Sequence, residues 1–290
     1  MKQLKARMPR FESVADCFDW TCGQIDRDDA AYLVLHYLNC SHRDLYLSKN
    51  KDRRLNGKLP NPVNSVQADK LKQAVSRRQN GEPLAYITES KYFWNMLFRV
   101  TPDVLIPRNE TELLVQVALE VAKPGQRILD LGTGSGVIAL TLKGNLECDV
   151  VATDVDQKAL AVCRQNMQKL DLDITLLHSD WFEKCEGTFD IIVSNPPYVA
   201  ANDPYLSQGD LRFEPQEALT DGADGLLHLR TVIADAPNYL NNNGWLIVEH
   251  GFDQPIKVQE LFDAAGFHDI STKTDYGGHL RIVQGLFCGR

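Results

Sequence analysis

No stretch of this chain approaches the roughly 20 consecutive apolar residues that cross a bilayer. The first residues, Met1-Lys2-Gln3-Leu4-Lys5-Ala6-Arg7, have no apolar core behind their charges. Both absences point to a cytoplasmic protein without a membrane partner. Cysteine is sparse: 7 in 290 residues, with no C-x-x-C pair among Cys17, Cys22, Cys40, Cys148, Cys163, Cys185 and Cys288. Such an odd, scattered set fits reduced thiols rather than a disulfide frame. Clustered histidine is also lacking, so no metal is expected. Positive charge is in deficit, with a formal net charge of −8. A protein that grips duplex nucleic acid over a long footprint neutralises roughly 6 to 10 phosphates, so no direct nucleic-acid partner is expected. The deficit is uneven: residues 1–90 hold 15 Lys and Arg against 11 Asp and Glu, the remainder 16 against 28. Internal repeats and low-complexity tracts are absent.

What remains is an ordinary globular composition, 43% hydrophobic and 24% charged, in a chain long enough for one large α/β domain and a smaller one. The first part reads as helical. Apolar residues recur at three- and four-residue spacing over Phe11 to Trp20, Asp28 to Leu38 (Ala31, Leu35, Leu38 with Val34, Tyr37) and Ser65 to Gln79 (Val66, Leu71, Val75). Gly81 reads as a helix C′ residue. The segment Lys49 to Asn64, with Gly57, Pro60 and Pro62, reads as a loop. A basic cluster, Arg43, Lys49, Lys51, Arg53, Arg54 and Lys58, falls there, and a solvated loop explains it at least as well as a partner-docking face. Residues 1–82 are therefore expected to form a small helical domain, and 83–106, with the β-biased run Tyr92-Phe93-Trp94-Asn95-Met96-Leu97-Phe98, a β-hairpin linker. Trp94 and Phe98 are expected to pack rather than to act.

Residues 107–290 form the third part. Pro107-Arg108-Asn109-Glu110-Thr111-Glu112 opens a helix, with Asn109 as cap, Glu112 returning the bond, and Leu113, Leu114, Val117, Ala118 and Val121 as the buried stripe. Capping explains Asn109 and Glu112 without a catalytic role, which leaves Arg108 as the more suggestive residue. From Arg127 on, strands and helices alternate at βα spacing, and the last two strands are joined by the short Asp275-Tyr276-Gly277-Gly278-His279. The expected fold is α/β: a doubly wound, mostly parallel seven-stranded sheet with an antiparallel last strand, preceded by the helical N-terminal domain.

Two motifs carry chemistry. Asp130-Leu131-Gly132-Thr133-Gly134-Ser135-Gly136 follows a strand, and its glycines permit a sharp turn and close approach of a ligand to the positive end of the next helix. A dinucleotide fingerprint wants G-x-G-x-x-G, but position 137 is Val; Asp154, ending the next strand, suits ribose hydroxyls in either case. Asp180-Trp181-Phe182 adds a carboxylate for an amino group and an indole for stacking, or simply a loop tryptophan anchoring a turn. The second motif, Ser194-Asn195-Pro196-Pro197-Tyr198, follows the buried strand Phe189 to Val193. Two prolines stiffen the segment and leave carbonyls free, Asn195 adds an amide acceptor and Tyr198 a flat face, so together they suit a planar group bearing an NH2. A strand followed by a Pro-Pro turn with a packed Tyr is the plainer explanation of that motif alone.

Together the two motifs resemble the amino-methyltransferases that use S-adenosylmethionine. Methyl transfer from a sulfonium is an in-line displacement that chiefly demands position, with the acceptor nitrogen roughly 3 to 3.5 Å from the methyl carbon. Asn195 and the Pro196 carbonyl would take the two N–H groups of an amide and turn its lone pair toward the methyl. Tyr198 would lie against the planar group and tolerate the nearby cation. The whole chain is similar to the release factor glutamine methyltransferase family through Leu105-Ile106-Pro107-Arg108 with Thr111-Glu112, the glycine loop, Asp180-Trp181-Phe182, Asn195-Pro196-Pro197-Tyr198 and Gln208-Gly209-Asp210-Leu211-Arg212-Phe213-Glu214-Pro215. Asn109 departs from the proline expected there.

That resemblance implies S-adenosyl-L-methionine as cofactor, with S-adenosyl-L-homocysteine as product and no metal. It implies a cofactor pocket of Gly132, Thr133, Gly134, Ser135, Gly136, Asp154, Trp181 and Asn195. Asn195, Pro196, Pro197 and Tyr198 would hold the substrate, with Asn195, Pro196 and Tyr198 catalytic. The implied substrate is the glutamine of the Gly-Gly-Gln motif in class 1 peptide chain release factors, methylated on its side-chain nitrogen, and residues 1–82 would recognise that partner. The alternatives are a sister family acting on a ribosomal protein glutamine, a nucleic acid adenine methyltransferase, which would bring a basic face that residues after 90 lack, and a binding protein with a degenerate pocket, which the intact glycines, Asp154 and Asn195 oppose.

Overall fold

The computed structural model describes residues 11–49 and 63–289. The chain divides into two units, Met1–Thr88 and Glu89–Arg290.

The first unit is built of helices α1 (Val14–Cys22), α2 (Arg27–Leu38), α3 (His42–Lys49), α4 (Ser65–Gln79) and the single turn α5 (Leu84–Ile87). Side chains spend the free N–H groups at two helix starts: Ser13 and Asp16 form a reciprocal box at α1, Asn64 and Gln67 another at α4. The shared core takes Cys17 and Phe18 from α1, Ala30, Leu33, Val34 and Leu38 from α2, Leu45 from α3, and Leu71, Ala74 and Val75 from α4. That corrects the phase of the expected stripes. On α2 the buried face is centred on Leu33 rather than Leu35, and Val66, in the first turn of α4, is 63% exposed. Arg78 of α4 pairs with Asp29 of α2 at 2.5 Å. Of the basic cluster, Arg43 lies exposed on α3 and Lys49 pairs with Asp19 at 3.2 Å; Lys51, Arg53, Arg54 and Lys58 lie outside the described residues.

The second unit begins with the hairpin β1 (Ser90–Phe93) and β2 (Met96–Arg99), closed by a tight turn in which Trp94 has φ +57°. Phe93 and Phe98 are both buried and meet edge to face at 6.1 Å, while Trp94 is half-buried against the same core. Then follow α6 (Thr111–Val121), β3 (Arg127–Leu131), α7 (Val137–Asn145), β4 (Asp149–Asp154), α8 (Gln157–Leu170), β5 (Thr175–His178) and β6 (Phe189–Ser194). After a stretch of 3-10 turns come α9 (Leu227–Asp235), β7 (Leu240–Glu249), α10 (Pro255–Ala264), β8 (Phe267–Thr274) and β9 (Leu280–Phe287).

The sheet order is β5-β4-β3-β6-β7-β9-β8, parallel except for β9, which runs antiparallel between β7 and β8. Alternate strand residues face opposite layers: Ile128, Ile191, Val193 and Ile247 pack with α6, α7 and α8, whereas Leu129, Ile192, Leu246 and Val248 pack with α9 and α10. Burial on both faces explains why these strands read as continuous apolar runs. The chain leaves β3 to one side for β4 and returns on the other as β6, so a crevice opens past the carboxyl ends of β3 and β6, where ligands bind in such sheets.

The expected cap on α6 does not form. Residues 108–110 make a tight turn, Glu110 takes the cap position without a side-chain bond, and Glu112 instead accepts the Trp94 N–H at 2.6 Å. The carboxylate that looked like a local cap holds the hairpin turn. Among the described residues no helix is long and apolar enough to cross a membrane.

Candidate active site

At the end of β3 the glycine loop is bound tightly to its surroundings. The Gly132 and Thr133 N–H groups both donate to the Thr153 carbonyl at 2.9 Å, and the Gly134 N–H donates to Asp154 at 2.8 Å. Gly136 begins α7 at φ +85°, and a Cβ there would stand 2.5 Å from the Cys163 sulfur, so both the backbone and the space demand glycine. Beneath the loop Asp130 is wholly buried; its Oδ2 accepts from Thr133 at 2.6 Å and from the Ala139 N–H, while Oδ1 has no partner. Burial pushes its carboxyl up to about 7. Burial also raises Asp154, whose Oδ1 accepts the Asp156 N–H at 2.9 Å.

Asn166 of α8 secures the loop from behind. It is fully buried and spends its amide completely, Nδ2 donating to the Ser135 carbonyl at 2.8 Å and the Arg99 carbonyl at 3.0 Å, Oδ1 accepting the Arg99 N–H at 2.6 Å. The sequence reading missed it. Its signal was an asparagine three residues after Cys163, on the buried face of an amphipathic helix. Trp181, at φ +43°, is half-buried, its ring 3.6 Å from where a Gly132 Cβ would stand and 5.2 Å from the His228 ring. Asp180 is exposed.

The residues of this loop suit the adenosine and methionine parts of S-adenosylmethionine. A Cβ placed on Gly134 would meet nothing within 4 Å, Asp154 offers a carboxylate held in place by two backbone N–H groups, and Trp181 offers a ring beside the first glycine.

Across the crevice, β6 ends at Ser194, whose hydroxyl donates to the Leu131 carbonyl at 2.9 Å and ties the two motifs together. Asn195 Nδ2 donates to the Thr111 hydroxyl at 3.2 Å. Pro196 is buried, Pro197 half-buried. The Tyr198 hydroxyl donates to Glu249 Oε1 at 3.0 Å, and its carbonyl accepts from Gln254 at 3.0 Å. Burial, then the Glu249 carboxyl, hold the Tyr198 phenol well above its ordinary pKa, so it remains a hydrogen donor. Glu249 ends β7, is 1% exposed, and is pushed up to about 7 by burial, partly offset by Thr111 and Tyr198. Sequence reasoning did not select Thr111 or Glu249 for this site. A charged residue closing the apolar run Trp245 to Val248, at the ligand end of the sheet, was the available signal.

Arg108 has its partner as well. It pairs with Glu214, whose side chain is fully buried and also accepts the Ile106 N–H at 2.9 Å. The pair ties the segment before α6 to residues 211–215. Among the described residues no group of three or more His, Cys, Asp or Glu could hold a metal.

A mostly parallel sheet with a glycine loop at its switch point and the rigid Asn195-Pro196-Pro197-Tyr198 after the adjacent strand is the architecture of a class I methyltransferase, and S-adenosylmethionine is its cofactor. The fold matches a methyltransferase from Pyrococcus furiosus with a TM-score of 0.54 at 20% identity, over 76% of this chain and all of that one. Residues 109–210 match the Methyltransferase small domain, and residues 23–88 the PrmC N-terminal domain. The release factor glutamine methyltransferase of Yersinia pestis is 44% identical over 218 residues, 74% of this chain and 79% of its own. That of Burkholderia pseudomallei is 40% identical over 279 residues, 91% of this chain and 93% of its own. The chain belongs to the release factor glutamine methyltransferase family, and it is an S-adenosylmethionine-dependent protein glutamine methyltransferase.

Proposed function

We propose that this enzyme methylates the side-chain nitrogen (N5) of the glutamine in the Gly-Gly-Gln motif of class 1 peptide chain release factors. The observation that carries the reading is Asn195. Its NH2 is occupied by Thr111, and among the described residues no group donates to its Oδ1, which leaves an acceptor free at the end of β6, one residue before the Pro196 carbonyl. Two acceptors side by side match the two N–H groups of a primary amide. A relative aligned over 91% of the chain bears the name release factor glutamine methyltransferase, which supports the substrate class.

Gly132, Thr133, Gly134, Ser135, Gly136, Asp154, Trp181 and Asn195 would hold the cofactor, which would supply an electrophilic methyl group on a positively charged sulfur. Asn195 Oδ1 and the Pro196 carbonyl would bind the substrate N–H groups, hold the nitrogen in line with the methyl donor and favour the positive charge of the methylated nitrogen, whose methyl would come from the cofactor sulfur. Pro197 keeps the segment rigid, and the Tyr198 ring lies along the planar amide. The surplus proton on the product nitrogen leaves to water, so no strong base is required. Residues 1–82 recognise the release factor, with Arg43 exposed on α3 as one contact.

Purified release factor, incubated with the enzyme and methyl-labelled S-adenosylmethionine, is expected to show by mass spectrometry one methyl on the glutamine of Gly-Gly-Gln. An unlabelled release factor, with cofactor bound normally, would overturn the substrate and direct attention to ribosomal proteins.

A further inference from the structure

The amide of Asn195 has two unlike ends, an acceptor oxygen and a double-donor nitrogen, and rotating it by half a turn exchanges them. Only one orientation offers an acceptor to a substrate NH2. What selects it lies below the tetrapeptide, in three side chains from separate elements.

Thr111, the first residue of α6, is 2% exposed, and its oxygen accepts from Asn195 Nδ2 at 3.2 Å. A hydroxyl has one proton to give, and the only other group that Thr111 acts on among the described interactions is the Glu249 carboxyl. Glu249, at the end of β7, has the complementary vacancy. Its Oε1 accepts from Tyr198 at 3.0 Å, while Oε2 is buried and has no well-aligned hydrogen-bond partner. Thr111 already acts on this carboxyl and lowers its pKa. A slight approach of the hydroxyl to Oε2 satisfies both, and a buried carboxylate oxygen is costly to leave bare.

We propose that Glu249, acting through Thr111, sets the polarity of the Asn195 amide and is thereby a positioning residue for methyl transfer; this rests on the amide-methylating reading above. With the Thr111 proton committed to the carboxylate, the Thr111 oxygen can only accept, so it takes the NH2 end of Asn195. Oδ1 is then turned into the crevice. The same carboxylate holds the Tyr198 hydroxyl, so a single group anchors both ends of Asn195-Pro196-Pro197-Tyr198.

Protonating Glu249 reverses the logic. Its O–H donates to Thr111, the Thr111 proton swings to Asn195, and Asn195 presents its NH2 to the substrate's own NH2. The groups that act on Glu249 are Thr111 and Glu110 at the start of α6, Tyr198 beyond β6 and Arg281 of β9, and His250 follows it directly in the chain. Arg281 favours the carboxylate and Glu110 opposes it, whereas burial lowers His250 and favours its neutral form. Glu249, raised to about 7, is the member that changes charge across neutral pH.

Two measurements test this. In the enzyme without release factor, the Asn195 side-chain NH2 resonances, identified by their loss in Asn195→Asp, are expected to shift with pH in one step near about 7, and the step is expected to vanish in Glu249→Gln. In methyl transfer to release factor, Glu249→Gln and Thr111→Val are expected to lower kcat roughly 10- to 100-fold, the size of lost hydrogen bonds to a charged group, with cofactor affinity nearly unchanged. Thr111→Ser is expected to recover most of the rate. A flat Asn195 titration, or the same step in Glu249→Gln, overturns the proposal. So does a kcat within about 3-fold of wild type in both variants. An unlabelled release factor alongside the expected titration refutes the substrate while supporting the polarity device.

Discussion

Replacing Asn166 by alanine removes the three hydrogen bonds of a buried side chain at once and exposes the dependence of the cofactor loop on a residue from α8. The truncation strands the Arg99 N–H, the Arg99 carbonyl and the Ser135 carbonyl, which Asn166 now meets at 2.6, 3.0 and 2.8 Å. At about 1 kcal/mol per stranded group, the low end for buried polar groups, the loss is about 3 kcal/mol. In a unit of this size that lowers Tm by roughly 6–12 °C. Because Ser135 lies within the glycine loop, part of the loss appears in cofactor affinity, and about 1.4 kcal/mol there weakens binding tenfold. Asn166→Asp serves as control: it retains an acceptor for the Arg99 N–H but turns a carboxylate toward two carbonyls, so it falls at least as far. Calorimetric unfolding and titration of S-adenosylmethionine read the two effects. A Tm within about 2 °C of wild type, with unchanged cofactor affinity, would refute the reasoning.

Asn195→Ala is expected to reduce methyl transfer by at least about 10²-fold while S-adenosylmethionine binds within several-fold; an equal loss of cofactor binding would make Asn195 mainly a pocket residue. Arg108→Ala leaves the buried Glu214 carboxyl with the Ile106 N–H alone, so a destabilisation of about 3–5 kcal/mol is expected in urea unfolding, and a change below about 1 kcal/mol would mean that the pair contributes little. Stability should also fall as pH rises from about 5 to 8. Asp130 and Glu249 have native pKa values raised by burial to about 7, above their unfolded values, so the native state binds protons across that window that the unfolded chain has released. Urea midpoints measured along this range should decline, and less steeply in Glu249→Gln; a midpoint that climbs with pH in both proteins would contradict the assignment.

Much of the fold was legible because it rests on local pattern. Continuous apolar runs separated by helical spacing imply a parallel sheet covered on both faces, and the short Asp275 to His279 connection implies that the last strand turns back. The phase of the N-terminal helices was not legible. On α2 and α4 apolar residues occur on more than one side, and which side is buried depends on the neighbouring helices. Glu112 shows the same limit from the other direction, since its sequence position fits a helix cap and its actual bond runs to Trp94.

The sequence by itself determined the loop of glycines after a strand, the rigid Asn195 to Tyr198 after another, and the alternation that brings both to one edge of the sheet. These follow from backbone conformations that glycine and proline impose within a few residues. Only the tertiary structure decided what supports them. Thr111 meets Asn195 across 84 residues of sequence, Glu249 meets Tyr198 across 51, and Arg108 meets Glu214 across 106. No local periodicity encodes such pairs, because a buried polar side chain is placed by the need to find a partner, and the sheet order settles which partners come within reach.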